Sequence, residues 1–185
     1  MSRASSLKLI EDVGQNSRIV GLTAQRNPED ENPAPEALYP CGTAVRILKM
    51  LKYPDQSVRV LVQGLARIEL RQFVQREPYF MVRVARLPET FTPAKEAEAL
   101  QANLVSQFTK FVSLVPYLPD ELQVMAMQVR DPGRLTDLVA SYLKIAIEEL
   151  QDMLATLDVR QRLEKLLVIL SREIELLELG HKIQS

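Results

Sequence analysis

The side chains that most often act as nucleophiles or bases are sparse in this chain. Its 185 residues include one cysteine, Cys41, and one histidine, His181. A catalytic cysteine needs a base beside it, and His181 lies near the end of the sequence, where we expect it to be exposed to solvent. Cys41 precedes Gly42 at the start of a predicted strand and is expected to be buried as a small apolar residue. This arrangement argues against a Cys–His catalytic pair.

Acids and serines give no stronger signal of catalysis. The carboxylate pairs Asp30–Glu31 and Glu148–Glu149 fall in patterns typical of solvent-facing segments. No His, Cys or spaced acids converge on a metal-binding pattern. The sequence has no glycine-rich phosphate loop and no serine in a Gly-x-Ser-x-Gly setting. We expect no catalytic, metal or cofactor residue in this chain, although a small enzyme with an unrecognised site is an alternative.

Composition describes an ordinary globular protein. Hydrophobic residues make up 46% and charged residues 25% of the chain, and the net charge of −1 predicts no general attraction to nucleic acid or anionic lipid. A single cysteine excludes an intrachain disulfide and fits a reducing compartment. No apolar run approaches the ~20 residues of a membrane helix, and no signal segment opens the chain. The sequence therefore predicts a cytoplasmic protein without a membrane partner.

Hydrophobic periodicity divides the chain into a β-rich lobe, 1–90, and a helical lobe, 91–185. Period-two alternation in the first lobe predicts mostly antiparallel strands. The predicted strands are Arg18–Ala24, Gly42–Lys52, Ser57–Gln63, Leu65–Gln75 and Tyr79–Leu87. Bends at Gly42 and Gly64 favour a small open barrel. Ser5–Val13 is predicted as a helix capped by Ser5 or Ser6, and Asn27–Pro40 as a polar loop.

In the second lobe the apolar period changes to 3.6, which predicts a helical bundle. The first helix should run from Ala94 to Leu114, and a second should begin near Asp120. Asp131 followed by Pro132 is a helix start. A short helix is predicted over Ile147–Ala155, and Asp158 should open a long last helix. We therefore predict an α+β fold, a barrel followed by a bundle. The predicted core of the first and last helices is Ala97, Leu100, Leu104, Phe108, Phe111, Leu163, Leu166, Leu167, Leu170, Ile174 and Leu177.

An apolar surplus marks the segment Val45–Tyr53. Ile47, Leu48, Met50 and Leu51 cannot all point to one face of an alternating strand, so both faces are apolar there. An exposed apolar patch marks a binding surface, and methionine adapts to varied partners. The predicted binding residues are Leu48, Met50, Leu51, Tyr53 and Met81. Strand parity leaves open which of Leu48, Met50 and Leu51 face outward.

Four basic residues lie in the same region: Arg46, Lys49, Lys52 and Arg59. They could form an RNA-binding stripe or the outward face of an amphipathic hairpin. The near balance of acids and bases in the chain and the scarcity of aromatic residues favour the hairpin face.

The hairpin turn has its own signature. Pro54-Asp55 favours a type I turn, and the residue after it should take a positive φ, where glycine costs least. The sequence places Gln56 there, so we expect a left-handed glutamine.

Several motifs in order resemble the amino-terminal domain of the Lon ATP-dependent proteases. The motifs are Ser6-Leu7-Lys8-Leu9-Ile10-Glu11, Ile19-Val20-Gly21-Leu22-Thr23-Ala24-Gln25, Tyr39-Pro40-Cys41-Gly42-Thr43-Ala44-Val45, Tyr53-Pro54-Asp55-Gln56-Ser57, Gln63-Gly64-Leu65-Ala66-Arg67, Asp131-Pro132-Gly133-Arg134-Leu135, Arg162-Leu163-Glu164-Lys165-Leu166-Leu167 and Glu173-Ile174-Glu175-Leu176-Leu177. Each motif alone is weak, but their order and spacing are specific.

The resemblance implies a PUA-like β-barrel followed by a helical bundle that ends in a long helix. It also implies a non-catalytic domain that recognises unfolded or damaged protein and aids assembly of a hexamer. ATP and magnesium would then belong to the ATPase part of the parent serine protease, and none to this chain. The alternative is a stand-alone PUA-like protein that binds RNA or another protein.

The chain departs from the family pattern at both ends. The family's opening strands are not found before Ser6, and the last helix stops at Ser185 where the family's helix continues. We therefore expect a fragment whose barrel lacks strands. An unpaired sheet edge recruits another chain, so we expect that edge to be paired with a neighbour, covered by the Asn27–Pro40 loop, or disordered.

Overall fold

The computed structural model describes residues 3–184 and divides the chain into two compact units, Met1–Pro88 and Glu89–Ser185. The predicted lobes, 1–90 and 91–185, include residues 1, 2 and 185, which lie outside the described residues. Glu89 and Thr90 belong to the second unit because Thr90 exchanges backbone hydrogen bonds with Leu157 and Val159.

From residue 3 onward, the first unit contains one α-helix, a short 3-10 helix (Pro35–Ala37) and a four-stranded antiparallel sheet. Helix α1 spans Ala4–Gly14, and the strands are β1 (Ile19–Leu22), β2 (Cys41–Lys52), β3 (Val58–Gln75) and β4 (Met81–Leu87). Each strand pairs with the next in chain order, β1-β2-β3-β4. The connections from β2 to β3 and from β3 to β4 are short and favour antiparallel neighbours, whereas a long loop, residues 23–40, joins β1 to β2.

Strand β3 corrects one prediction. Ser57–Gln63 and Leu65–Gln75 were expected to be two strands, but they form one strand that runs through Gly64 without a break. Leu65 is an extra residue there, because Ala44 pairs with Ala66 and Val45 pairs with Gly64. The glycine therefore marks a β-bulge, which bends a strand while leaving it continuous.

Four such bulges interrupt the sheet. The extra residues, each lacking a partner in the register, are Leu48 in β2 and Leu65, Arg71 and Val74 in β3. Bulges increase strand twist and curvature. Gly42 adds a close approach between strands, because a Cβ at this position would collide with the carbonyl oxygen of Leu22.

Helix α1 shows how strongly the sheet curls. A straight strand as long as β3 would extend about 60 Å. Yet the last turn of α1 is reached by residues near both ends of β3. Met50 lies opposite the first residues of β3, and Tyr79 lies in the turn that follows its end. The Met50 Cε lies 3.0 Å from where a Cβ on Gly14 would be, and Tyr79 Oη donates a 3.0 Å hydrogen bond to Asp12. The sheet therefore wraps around this helix.

The start of α1 differs from the prediction. The helix begins at Ala4 after Arg3, and no side chain caps it, so neither Ser5 nor Ser6 acts as the N-cap. Lys8 and Tyr79 both donate hydrogen bonds to the Asp12 carboxylate and lower its pKa. The bond from Tyr79 therefore links the last turn of α1 to the segment before β4.

The loop between β1 and β2 bears on one of the three outcomes expected for the sheet edge. Arg26 N donates to Ala37 O (2.7 Å), and Tyr39 N donates to Ala24 O (2.9 Å), so the loop ends continue the β1–β2 hairpin. The loop therefore does not cover the other edge of β1. Among residues 3–184, β1 is an ordered edge strand with β2 as its one strand partner.

The second unit is a bundle of five helices. They are α2 (Lys95–Leu114), α3 (Glu121–Gln128), α4 (Pro132–Ser141), α5 (Ile147–Ala155) and α6 (Val159–Gln184). Asp131 accepts a hydrogen bond from Arg134 N and caps α4 as predicted. Asp158 Oδ1 accepts from the backbone of Arg160 and Gln161 at the start of α6.

The predicted apolar stripes form the core of this bundle. The buried members are Ala97, Leu104, Phe108, Phe111, Leu163, Leu166, Leu170 and Ile174, and Leu100, Leu167 and Leu177 are partly buried against them. Because both Leu163 and Leu170 are buried in the core, α6 uses this face for packing within its own unit.

A buried arginine organises the beginning of α6. Arg162 is 1% exposed and forms an ion pair with Glu89. Its Nε donates to Thr136 Oγ1 (2.8 Å) and its Nη1 to the carbonyl of Thr156 (3.0 Å). A buried charge is tolerated only when it is fully partnered. Arg162 therefore joins α4, α6 and the first residues of the unit at one point.

The β2–β3 turn confirms the expectation for Gln56. Its φ is +64°, Gln56 N donates to Tyr53 O at 3.0 Å, and Asp55 Oδ1 accepts from Ser57 N and Oγ. Replacing Gln56 by glycine removes the left-handed strain, and we expect a gain of about 0.5–1 kcal/mol in unfolding free energy.

Urea unfolding of the Gln56→Gly variant measures this gain. Gln63→Gly is the matched control, because Gln63 lies in a regular part of the same hairpin, where glycine should cost about 0.5–1 kcal/mol. A loss of stability in Gln56→Gly would contradict the strain assigned to this turn.

Candidate functional site

The β2–β3 hairpin has two faces that its register defines. Directly opposite residues of an antiparallel pair share a face. Met50 pairs with Val60 and Lys52 with Val58, so these residues share the face that carries buried Val58. The outer face carries the pairs Arg46–Gln63, Lys49–Leu61 and Leu51–Arg59, and Tyr53 follows opposite Ser57.

The Leu48 bulge decides which apolar residues are exposed. Leu48 and Lys49 together oppose Leu61, so one extra residue shifts the alternation of β2. As a result Ile47 and Met50 both point inward although they are three residues apart. Between Arg46 and Gln63 the outer face carries four exposed apolar side chains, which we call the hairpin patch. Its members are Leu48 (49% exposed), Leu51 (46%), Tyr53 (38%) and Leu61 (60%).

Met50 does not belong to this patch. Its side chain is half-buried and contacts α1 at Gly14. Of the five residues predicted to bind, Leu48, Leu51 and Tyr53 lie on the outer face of the hairpin. Met81 is exposed on another strand, β4, opposite Gln75. The structure therefore brings three of the five together.

Leu61 is the patch member that the prediction missed. It is the most exposed apolar residue of the hairpin, and it lies between Arg59 and Gln63 on the outward positions of β3. The alternation of Val58, Val60 and Val62 with these polar residues was visible in the sequence. A leucine at an otherwise polar position is the signal that would have identified it.

The tip of the patch is held by local contacts. The Arg59 guanidinium carbon lies 5.0 Å from the centre of the Tyr53 ring, a cation–π contact. Tyr53 N donates to Ser57 O at 2.9 Å, which closes the turn. The Ser57 hydroxyl and backbone N–H donate to Asp55 and lower the pKa of its carboxyl group. The ring therefore has a defined position at the end of the hairpin.

The residues considered for chemistry occupy structural positions. Cys41 is buried, and burial raises the pKa of its thiol. His181 belongs to α6 and not to a tail, and its Nε2 lies 3.2 Å from the carbonyl oxygen of Leu114. Glu149 accepts two hydrogen bonds from Arg172, at 2.8 and 3.1 Å, which lower its pKa. Within residues 3–184, no three His, Cys, Asp or Glu side chains are grouped to hold a metal ion.

Comparison with known proteins identifies the family of this chain. The family model of the ATP-dependent protease La (LON) substrate-binding domain matches residues 1–172. This chain belongs to that family. Curated Lon proteases agree: the chain is 38% identical over 185 residues to one from Dictyoglomus thermophilum and 40% identical over 185 residues to one from Brucella suis. The alignments cover the whole chain and 23% of each relative, so the chain spans about a quarter of their length.

Solved Lon domains share this fold. The N-terminal domain of Mycobacterium avium complex Lon protease aligns with a TM-score of 0.64 at 17% identity, over 83% of this chain and 89% of that one. A Lon N-terminal domain protein from Xanthomonas campestris aligns with a TM-score of 0.63 at 18% identity, over 91% and 85%. The α+β architecture is therefore that of Lon N-terminal domains. In the described part of the chain, no helix has the length and apolar character needed to cross a bilayer.

The two faces of the hairpin should respond differently to a charge. Met50→Asp places a carboxylate against α1, and we expect it to lower the unfolding free energy by about 2 kcal/mol. Leu51→Asp changes an outward side chain and should cost about 0.5 kcal/mol. Urea unfolding of both variants tests the register. Equal losses, or a larger loss in Leu51→Asp, would show that the bulge does not orient these residues as described.

Proposed function

We propose that this chain is the non-catalytic recognition domain of an ATP-dependent Lon-type serine protease and that its hairpin patch binds unfolded or damaged protein. The observation that carries the proposal is a set of exposed apolar residues on one face of the hairpin, including Leu51 and Leu61, on a chain of the Lon substrate-binding family. Unfolded proteins expose the apolar segments that such a surface accepts, whereas folded proteins bury them.

The construction of the patch supports this role. Its side chains stand on a paired hairpin rather than on a loose loop, and α1 supports the opposite face through Met50. Leucine and tyrosine offer contact area without a demand for one exact partner geometry. A rigid apolar platform of this kind suits many different sequences, as a quality-control domain requires.

We also propose that the domain aids oligomer assembly, up to a hexamer in the full-length protein. Helix α6 carries a second exposed apolar stripe, Val168, Leu176, Leu179 and Ile183, on a face separate from its buried core residues. Spacings of three, four and eight residues keep the four within one side of a helix. An apolar stripe on a long helix pairs readily with another helix.

Three further parts of the proposal rest on the family. The curling of the sheet around α1 supports the PUA-like barrel that the resemblance implies. In the parent protease, the sites that bind ATP and magnesium and the site that hydrolyses peptides would lie outside this domain. Its proposed location is the cytoplasm, where unfolded proteins are degraded.

Binding of RNA is the competing function. The exposed cations of the hairpin, such as Lys49 and Arg59, would contact phosphates, and Tyr53 could stack on a base. One aromatic ring among three leucines makes a better apolar platform than a stacking surface, so peptide binding is favoured.

The function is tested by binding of a permanently unfolded model protein, measured by fluorescence anisotropy. Leu51→Asp and Leu61→Asp should each weaken binding about tenfold, because each puts a charge into an apolar contact worth about 1.5 kcal/mol. Folded model protein should not bind.

Two comparison variants locate the surface. Val124→Asp changes a residue of α3 that is 56% exposed, and it should leave binding unchanged. Met81→Asp tests whether the surface extends to β4. Equal affinity of wild type, Leu51→Asp and Leu61→Asp for the unfolded protein would contradict a hairpin site.

The assembly proposal has a separate measurement. We expect Leu176→Glu with Leu179→Glu to lower the sedimentation coefficient at high protein concentration, because two charges disrupt an apolar helix–helix contact. Glu175→Gln, on the same helix turn, is the control. Unchanged sedimentation of the double variant would exclude the α6 stripe as the contact.

A further inference from the structure

The hairpin patch carries positive charge as well as apolar surface. Arg46, Lys49 and Arg59 are exposed on the same outer face as Leu51 and Leu61. Within the described residues, Arg46 and Lys49 form no ion pair, and Arg59 contacts the Tyr53 ring. The nearby carboxylate, Asp55, lies in the turn and accepts hydrogen bonds from Ser57. The outer face of β2 and β3 therefore has three cations and no acid between Arg46 and Gln63.

The register places apolar and cationic side chains in alternation. Leu51 is opposite Arg59, and Lys49 is opposite Leu61. Along β2, Lys49 and Leu51 lie two positions apart on this face, and along β3 Arg59 and Leu61 do the same, so each strand also sets one leucine beside one cation. Leucine and cation are thus neighbours both across the hairpin and along it.

This pattern has a definite spacing. Residues i and i+2 of an extended strand share a face and are about 6.7 Å apart, whereas residues i and i+1 point to opposite faces. An extended peptide lying on the hairpin with an apolar residue at i and a carboxylate at i+2 would place one beside a leucine and the other beside a cation. The same residues at i and i+1 could not reach the surface together.

We propose that the hairpin patch selects unfolded segments in which an apolar residue and an aspartate or glutamate lie two positions apart. The inference rests on the proposed function and names the substrate class of the same site. Opposite charges at an exposed surface contribute modestly to affinity but strongly to the choice of partner. The unpaired cations would then reject apolar segments rich in lysine or arginine.

Four fluorescently labelled peptides with identical apolar residues test the proposal by anisotropy. They carry aspartate at i+2, aspartate at i+1, glutamine at i+2, or lysine at i+2. We expect the i+2 aspartate peptide to bind best, about fivefold more tightly than the glutamine peptide, and the lysine peptide to bind worst. The advantage of aspartate should shrink as ionic strength rises.

A charge reversal connects the selection to one residue. Lys49→Glu should weaken the i+2 aspartate peptide about fivefold and strengthen the lysine peptide. Arg83→Glu is the matched control, since Arg83 is exposed on β4 of the same sheet and makes no ion pair in the described part of the chain. It changes the net charge equally and should alter neither affinity. Thermal unfolding of both variants confirms that they remain folded.

The outcomes separate this inference from the function beneath it. Equal binding of all four peptides would overturn charge selection and leave the apolar recognition site intact. Equal binding of the i+1 and i+2 aspartate peptides would overturn the spacing. Failure of every peptide and of unfolded protein to bind would overturn the proposed function itself. Tight binding of single-stranded RNA, with displacement of the aspartate peptide, would assign the cations to a nucleic acid.

Discussion

In the pairing of β2 with β3, two residues, Leu48 and Lys49, oppose the single residue Leu61. Without this bulge the alternation that begins at buried Val45 and Ile47 would point Lys49 and Leu51 inward. Met50 would point outward. The bulge reverses the orientation of these three side chains. Met50 therefore points inward and contacts α1, and Leu51 faces solvent. Both the stability of the hairpin and the surface it presents follow from that one extra residue.

The same constraint extends to the rest of the first unit. Further bulges at Leu65, Arg71 and Val74 bend β3 around α1, whose last turn contacts the structure near both ends of that strand. Leu48, Leu65 and Val74 are themselves exposed. Curvature and exposed apolar surface therefore have a common origin. The extra residue at each of these bulges bends the strand, and its own apolar side chain is left exposed to solvent.

Sequence patterns predicted the helical unit more accurately than the sheet. The 3.6-residue period, together with the Asp131 cap, locates each helix within a few residues, because these signals are local. The start of α1 was misplaced since it has no capping side chain. The burial of Arg162 gave no signal, because a buried arginine is recognisable only by partners such as Glu89 and Thr136 that are distant in sequence.

For the candidate site, the sequence indicated a segment that carries exposed apolar residues in the structure and left its orientation undecided. The surplus of apolar residues between Val45 and Tyr53 predicted two apolar faces. A bulge depends on pairing with another strand, so the outward set of Leu48 and Leu51 could not be chosen from β2 alone. Leu61 required the same cross-strand register, and the structure supplied it.

Binding of unfolded protein to the outer face of this hairpin can be observed residue by residue. Methyl-resolved NMR of leucine-labelled and methionine-labelled protein, titrated with a permanently unfolded protein, tests it directly. We expect large, saturable shifts for Leu48, Leu51 and Leu61, with the core methyls of Leu104 and Leu163 unchanged. Saturable binding that leaves the three hairpin leucines unshifted and perturbs methyl groups elsewhere would contradict this expectation.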